Sequence, residues 1–182
     1  MCEHVKNTIL YCAIWGMYGA GKSTLARGII RSDGGCENRK GCAVTNGGKY
    51  TFAGNYVESS KYGGADGLRD TKELYEVLKS CETPVFVSEG VRTQSFGTSF
   101  LEPFFYTPKQ IIIYLEVPAQ LCCQRTFYRS GKKTFSNLGK EKTWGNALKK
   151  FASIGVPVYK IDARQDEETV LRNALEIIDS IL

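Results

Sequence analysis

The sequence predicts an α/β protein of three layers, with helices on both faces of a mainly parallel sheet of about five strands. Two observations carry that expectation. Short, nearly continuous apolar runs at 8–15, 84–90, 110–117 and 156–161 have strand length and suit strands buried on both faces. Between and after them lie segments with helical periodicity, so strand and helix alternate along the chain. With 182 residues and no internal repeat, low-complexity tract or linker, the chain reads as one domain over 1–182.

The first apolar run ends in Gly16-Met17-Tyr18-Gly19-Ala20-Gly21-Lys22-Ser23, followed by Thr24 and a helix expected over 22–31. This fits G-x-x-x-x-G-K-[ST] at every fixed position and in the required strand-to-helix context, a phosphate-binding P-loop. Its glycines let successive N–H groups curl around phosphate oxygens, and the new helix directs its positive end at them. Gly16, Gly19, Ala20, Gly21, Lys22, Ser23 and Thr24 are therefore the expected triphosphate-binding residues, with Lys22 as mobile cation and Ser23 as Mg²⁺ ligand. The alternative is a glycine-rich turn carrying a lysine by accident.

The helix stops at Ser32-Asp33-Gly34-Gly35, and 34–67 reads as a long irregular loop, interrupted by glycine throughout. Inside it Tyr50, Tyr56, Lys61, Tyr62 and Asp66 alternate with glycines, offering flat faces for stacking and a carboxylate on a flexible backbone. A solvated loop whose aromatics merely cover the core is the alternative for each of them. Cys36 and Cys42 lie in the same stretch, but the only histidine is His4, and a zinc site lacks its remaining ligands.

After Asp70 a helix with Leu74, Tyr75, Val77 and Leu78 is expected to end near Ser80. The next apolar strand closes on Glu89, which resembles the Walker B arrangement of a carboxylate at a strand end reaching Mg²⁺ or the attacking group. Arg92 follows at the same edge. The third strand, 110–117, leads into a helix opened by Pro118. Arg125 and Arg129 share one face of that helix, and Lys132 and Lys133 continue the basic cluster. A solvated basic face is one reading; a lid over about 125–140, closing its arginines on transferring phosphates, is the other. Helices over 141–154 and 168–182, with a strand between them, complete the chain.

The net charge of +5 permits a nucleic-acid partner without requiring one. Seven cysteines, an odd number, suggest reduced thiols and a cytoplasmic setting. Met1 is followed by Cys-Glu-His-Val-Lys-Asn and no run of about 18 apolar residues occurs, so a soluble chain with no membrane partner is expected. Two function classes remain, a kinase and a nucleotide-driven switch or motor. The Asn-Lys-x-Asp guanine motif is missing, and a motor usually needs a longer chain.

The P-loop, the acceptor loop and the arginine-bearing helix together resemble the nucleoside and nucleotide kinase group of P-loop proteins. The chain departs from that group at Glu89-Gly90-Val91-Arg92, where Asp-Arg-Tyr or Glu-Arg-Ser is often found. The loop with Gly63-Gly64-Ala65-Asp66 is similar to that of small bacteriophage kinases acting on the hydroxymethyl group of 5-hydroxymethyluracil in DNA. That resemblance implies ATP and Mg²⁺ as cofactors served by Lys22 and Ser23, with Glu89 on the metal side. It implies Asp66 or Glu89 as acceptor of the hydroxyl proton, and Tyr50, Tyr56 and Tyr62 as stacking partners for an extruded base. Lys61, Arg92, Arg125, Arg129, Lys132 and Lys133 would line the DNA approach, and the setting would be the host cytoplasm.

Overall fold

A computed structural model of the chain describes residues 8–56, 64–90, 107–131 and 141–182. Its sheet is built on β1 (Leu10–Gly16), every residue of which is buried. Leu10, Cys12 and Ile14 face one apolar cluster and Tyr11, Ala13 and Trp15 the other. That alternation shows why a two-sided strand reads as an unbroken apolar run: both faces are covered. On the first face pack α1 (Lys22–Ser32) and α5 (Glu167–Ile181), through Leu25, Ala26 and Ile29 against Val170, Ala174 and Ile178. On the second pack α2 (Thr71–Lys79) and α4 (Glu141–Ser153), through Leu74, Leu78, Leu148 and Phe151. Helix, sheet and helix form the three layers.

The remaining strands are β2 (Cys36–Arg39), β3 (Cys42–Thr45), β4 (Tyr50–Ala53), β5 (Val85–Glu89), β6 (Lys109–Glu116) and β7 (Val158–Asp162). They form one sheet in the order β2-β3-β4-β5-β1-β6-β7. From β4 to β7 all neighbours are parallel, so the sheet is mainly parallel as expected, with seven strands rather than about five. β2 and β3 extend it as antiparallel strands.

This corrects the reading of 34–67 as one irregular loop. Gly41, Gly47 and Gly48 do not interrupt structure; they lie in the turns between three short strands. Thr45 Oγ1 donates to Asp33 Oδ2 at 2.6 Å and the Lys49 N–H donates to the same oxygen at 3.1 Å, which ties the β3–β4 turn to the end of α1. The helix starts follow capping chemistry. Asp70 accepts from the Glu73 N–H at 2.9 Å while Glu73 reaches back to the Arg69 N–H at 2.7 Å, and Asp166 accepts from the Thr169 N–H at 2.8 Å. α3 (Ala119–Ser130) begins one residue after Pro118, which takes the cap position rather than the first turn. Among the described residues no helix is long and apolar enough to cross a membrane.

Candidate active site

The glycine loop leaves the carboxyl end of β1 and enters α1. Gly19 has φ +90°, and a Cβ there would come within 2.5 Å of the Cys122 carbonyl oxygen and 2.6 Å of Thr126 Oγ1. The loop thus rests directly on the backbone of α3, a contact open only to glycine. Gly21 caps α1 in a left-handed conformation with no side chain covering the helix end. The first N–H groups of α1 are therefore free of side-chain caps and point at the mouth of the loop.

Lys22 folds back over that loop. Its Nζ donates to the carbonyls of Gly16 and Met17, each at 3.0 Å, and the side chain is buried. Burial pulls the amine below its ordinary pKa, opposed by the nearby carboxylates of Glu89 and Asp66. Glu89 ends β5 opposite Ile14 of β1 and is only 2% exposed. Burial raises its carboxyl pKa, opposed by the charge of Lys22 and by hydrogen bonding from Ser23 and Tyr56. The Tyr56 hydroxyl donates to Glu89 Oε1 at 3.2 Å.

Asp66 comes from a 3₁₀ turn, Gly64–Gly67. A Cβ on Gly64 would lie 2.3 Å from Glu89 Oε1, and one on Gly90 would lie 2.8 Å from Asp66 Oδ1. The bare backbone at these glycines is what brings the turn against the end of β5 and the two carboxylates to one place. A cleft of about 580 Å³ opens there, within the range of small-ligand sites. Its walls include Gly19, Lys22, Ser23, Asp66, Glu89, Arg125 and Arg129. Arg125 Nη2 donates to the Ala163 carbonyl at 3.0 Å, and the Arg129 guanidinium stands 5.2 Å above the Tyr18 ring. The cleft continues past Gly28 and Arg31 to Gln165, Glu168 and Leu171, none of which the sequence pattern marked as a site residue.

The structure therefore gathers the loop residues Gly16 to Thr24 with Asp66, Glu89, Arg125 and Arg129. It does not use Tyr50 and Tyr56 as expected. Tyr50 is 2% and Tyr56 6% exposed, packed against Phe52 at centroid distances of 6.1 and 5.4 Å. Rings enclosed in the core offer no face to a base, so both stacking assignments are corrected. The alternation of large and small residues in Tyr50-Thr51-Phe52-Ala53 is the strand signal that could have found this. Lys61, Tyr62, Arg92, Lys132 and Lys133 lie outside the described residues.

No family model matches the chain, and no curated protein matches it. Solved structures do resemble it. A gluconokinase from Sinorhizobium meliloti 1021 is 14% identical with a TM-score of 0.53, over 96% of this chain and 92% of that one. The shikimate kinase of Acinetobacter baumannii, solved with shikimate, is 20% identical with a TM-score of 0.52, over 95% and 94%. A deoxyadenosine kinase from M. mycoides, solved with dCMP and dCDP, is 17% identical with a TM-score of 0.48, over 93% and 99%. The first two place the chain in the α/β fold that such kinases share.

Proposed function

We propose that the chain is an ATP-dependent phosphotransferase with a hydroxyl acceptor. The observation that carries the reading is convergence: the uncapped amino end of α1, the Lys22 amine and the two carboxylates Asp66 and Glu89 meet in one cleft walled by Arg125 and Arg129. A receptor for phosphate alone has no use for two buried or half-buried carboxylates beside it. A group that must deprotonate an alcohol while transferring phosphate does.

Ser23 and Glu89 fit Mg²⁺, since a hydroxyl and a carboxylate already joined by a hydrogen bond are the hard oxygen donors it takes. Bound with ATP, the ion would neutralise charge on the β- and γ-phosphates. The loop amides bind the phosphates, and Lys22 exchanges its two carbonyl partners for phosphate oxygens. Asp66 accepts the proton as the acceptor oxygen bonds to the γ-phosphorus. The bond to the β–γ bridging oxygen breaks, leaving ADP, and Arg125 and Arg129 hold the charge on the moving group.

For the acceptor, burial of Tyr50 and Tyr56 supports a small alcohol, a class to which the acceptors in the names gluconokinase and shikimate kinase also belong. A second reading is the 5-hydroxymethyl group of 5-hydroxymethyluracil within bacteriophage DNA. It is supported by the Gly63-Gly64-Ala65-Asp66 resemblance and by Tyr128, 85% exposed on α3 next in sequence to Arg129, whose ring meets Phe127 at 6.1 Å and keeps an exposed face for stacking. Transfer of ³²P from ATP is the test, over sugars, nucleosides, nucleotides, and DNA with and without 5-hydroxymethyluracil. Label on a free alcohol supports the first reading, label only on the modified DNA the second. ATP or GTP hydrolysis with no labelled acceptor makes the chain a nucleotide switch and overturns both.

A further inference from the structure

Tyr56 does something its burial alone does not require. Its ring meets Phe52 edge-on at 70°, a contact that phenylalanine would make equally well. Its hydroxyl, however, reaches Glu89 Oε1 at 3.2 Å, the same oxygen that a Cβ on Gly64 would meet at 2.3 Å. Tyr56 and Ser23 thus both hydrogen-bond the Glu89 carboxylate, with Tyr56 on Oε1. The main chain of Tyr56 is itself held by side chains of β2, Asn38 foremost, with Cys36 Sγ 4.0 Å from the Tyr56 carbonyl oxygen. Its N–H donates to Asn38 Oδ1 at 2.7 Å, and its carbonyl accepts from Asn38 Nδ2 at 3.5 Å. Asn38 belongs to β2, the outermost strand of the antiparallel extension.

We propose that Tyr56 is a positioning residue for Glu89, and that β2 anchors it through Asn38. A line of contacts then runs from the sheet edge to the Mg²⁺-side carboxylate: Asn38, the Tyr56 main chain, the Tyr56 hydroxyl, Glu89 Oε1. Without the hydroxyl the carboxylate keeps its burial but loses its fixed direction. Partners that orient a metal-ligating group commonly govern affinity or rate by about 10–100-fold. The inference rests on the reading of Glu89 as the Mg²⁺-side residue of a kinase.

The test uses the full chain and a double-mutant cycle. Tyr56→Phe, which keeps the ring and the Phe52 contact, is compared with wild type in Mg²⁺-dependent ADP binding by calorimetry and in Mg²⁺-dependent transfer from ATP. The expected result is a rise of about tenfold or more in the half-saturating Mg²⁺ concentration and a lower kcat, with KM for ATP at saturating Mg²⁺ unchanged and the thermal midpoint retained. In a Glu89→Gln background the same substitution adds nothing, because the group it orients no longer binds the ion. Asn38→Ala shifts the Mg²⁺ dependence in the same direction by a smaller factor. Unchanged Mg²⁺ dependence in Tyr56→Phe overturns the inference while leaving the kinase reading intact. So does a penalty of equal size in both backgrounds, which would mark Tyr56 as packing only. Wild-type protein that binds ADP without regard to Mg²⁺ overturns the role of Glu89 and this inference with it.

Discussion

Gly54→Ala separates the geometry of the two carboxylates from the stability of the fold. Gly54 has φ +84°, and a Cβ built there lies 1.9 Å from the Gly64 carbonyl oxygen and 2.3 Å from its carbon. Both atoms are backbone, so no side chain can swing away. To regain ordinary contact the Gly64–Gly67 turn must withdraw by roughly 1.5 Å, and Asp66 moves with it. A misplacement of about 1 Å in a catalytic group costs on the order of 10²-fold in rate, equivalent to about 2.7 kcal/mol of barrier. The left-handed backbone adds roughly 1–2 kcal/mol of folding cost for a residue with a Cβ. Gly48→Ala is the control, since Gly48 has φ +75° with nothing within 4 Å of the added atom. Phosphoryl transfer at saturating ATP, measured beside thermal unfolding, reads both terms. Gly48→Ala is expected to lose only the backbone cost and keep its turnover. Gly54→Ala is expected to lose about 10²-fold in turnover and more stability than the control. Turnover in Gly54→Ala equal to that of Gly48→Ala refutes the placement of Asp66 in the reacting site.

Lys22→Ala is expected to reduce transfer by about 10²-fold or more while the far-UV circular dichroism and a cooperative melt persist; full turnover at saturating ATP removes the P-loop reading. Asp66→Asn lowers kcat with little change in ATP affinity, whereas Glu89→Gln changes the Mg²⁺ dependence; steady-state kinetics over a Mg²⁺ series decides, and a reversed pattern exchanges the roles of the two carboxylates. Burial pushes the Cys12 thiol up to about 12 and that of Cys122 to about 11, so near pH 8 both stay protonated and unreactive. Among the described cysteines, iodoacetamide followed by peptide mass spectrometry is then expected to label the half-buried Cys36 and Cys123 first, and a step to pH 10 still leaves Cys12 unmodified; early labelling of Cys12 contradicts its placement in β1.

β1, β5 and β6 of the parallel core were readable because each is covered on both faces and so carries apolar residues almost without interruption. In β6, Ile111 to Leu115 are all buried, and no helical or one-sided pattern produces such a run. α2 was readable from the spacing of Leu74, Tyr75, Val77 and Leu78 after Asp70. The antiparallel extension, together with the parallel strand β4 beside it, was not, for two physical reasons. Its strands are four residues long, too short for periodicity to emerge, and β2 is mostly exposed, so Glu37, Asn38 and Arg39 look like loop residues. Gly41 and Gly48 then read as breaks in structure, when they are the turns that the strands need.

The site divides along the same line. The phosphate end is contiguous in sequence, because one strand, one loop and one helix supply it, and its eight residues could be read as a unit. The proposed acceptor end is assembled by sheet order: β4 pairs with β5 and β5 with β1, which carries Glu89 to the loop and leaves Tyr56 beside it. Asp66 arrives through close approach of backbone at Gly54, Gly64 and Gly90, and glycine in a sequence does not say which other glycine it faces. Tyr56 illustrates the cost of that ambiguity. A tyrosine among glycines was legible as a ring for stacking, yet it is the hydroxyl that acts, and its partner Glu89 is known only once three strands are in register.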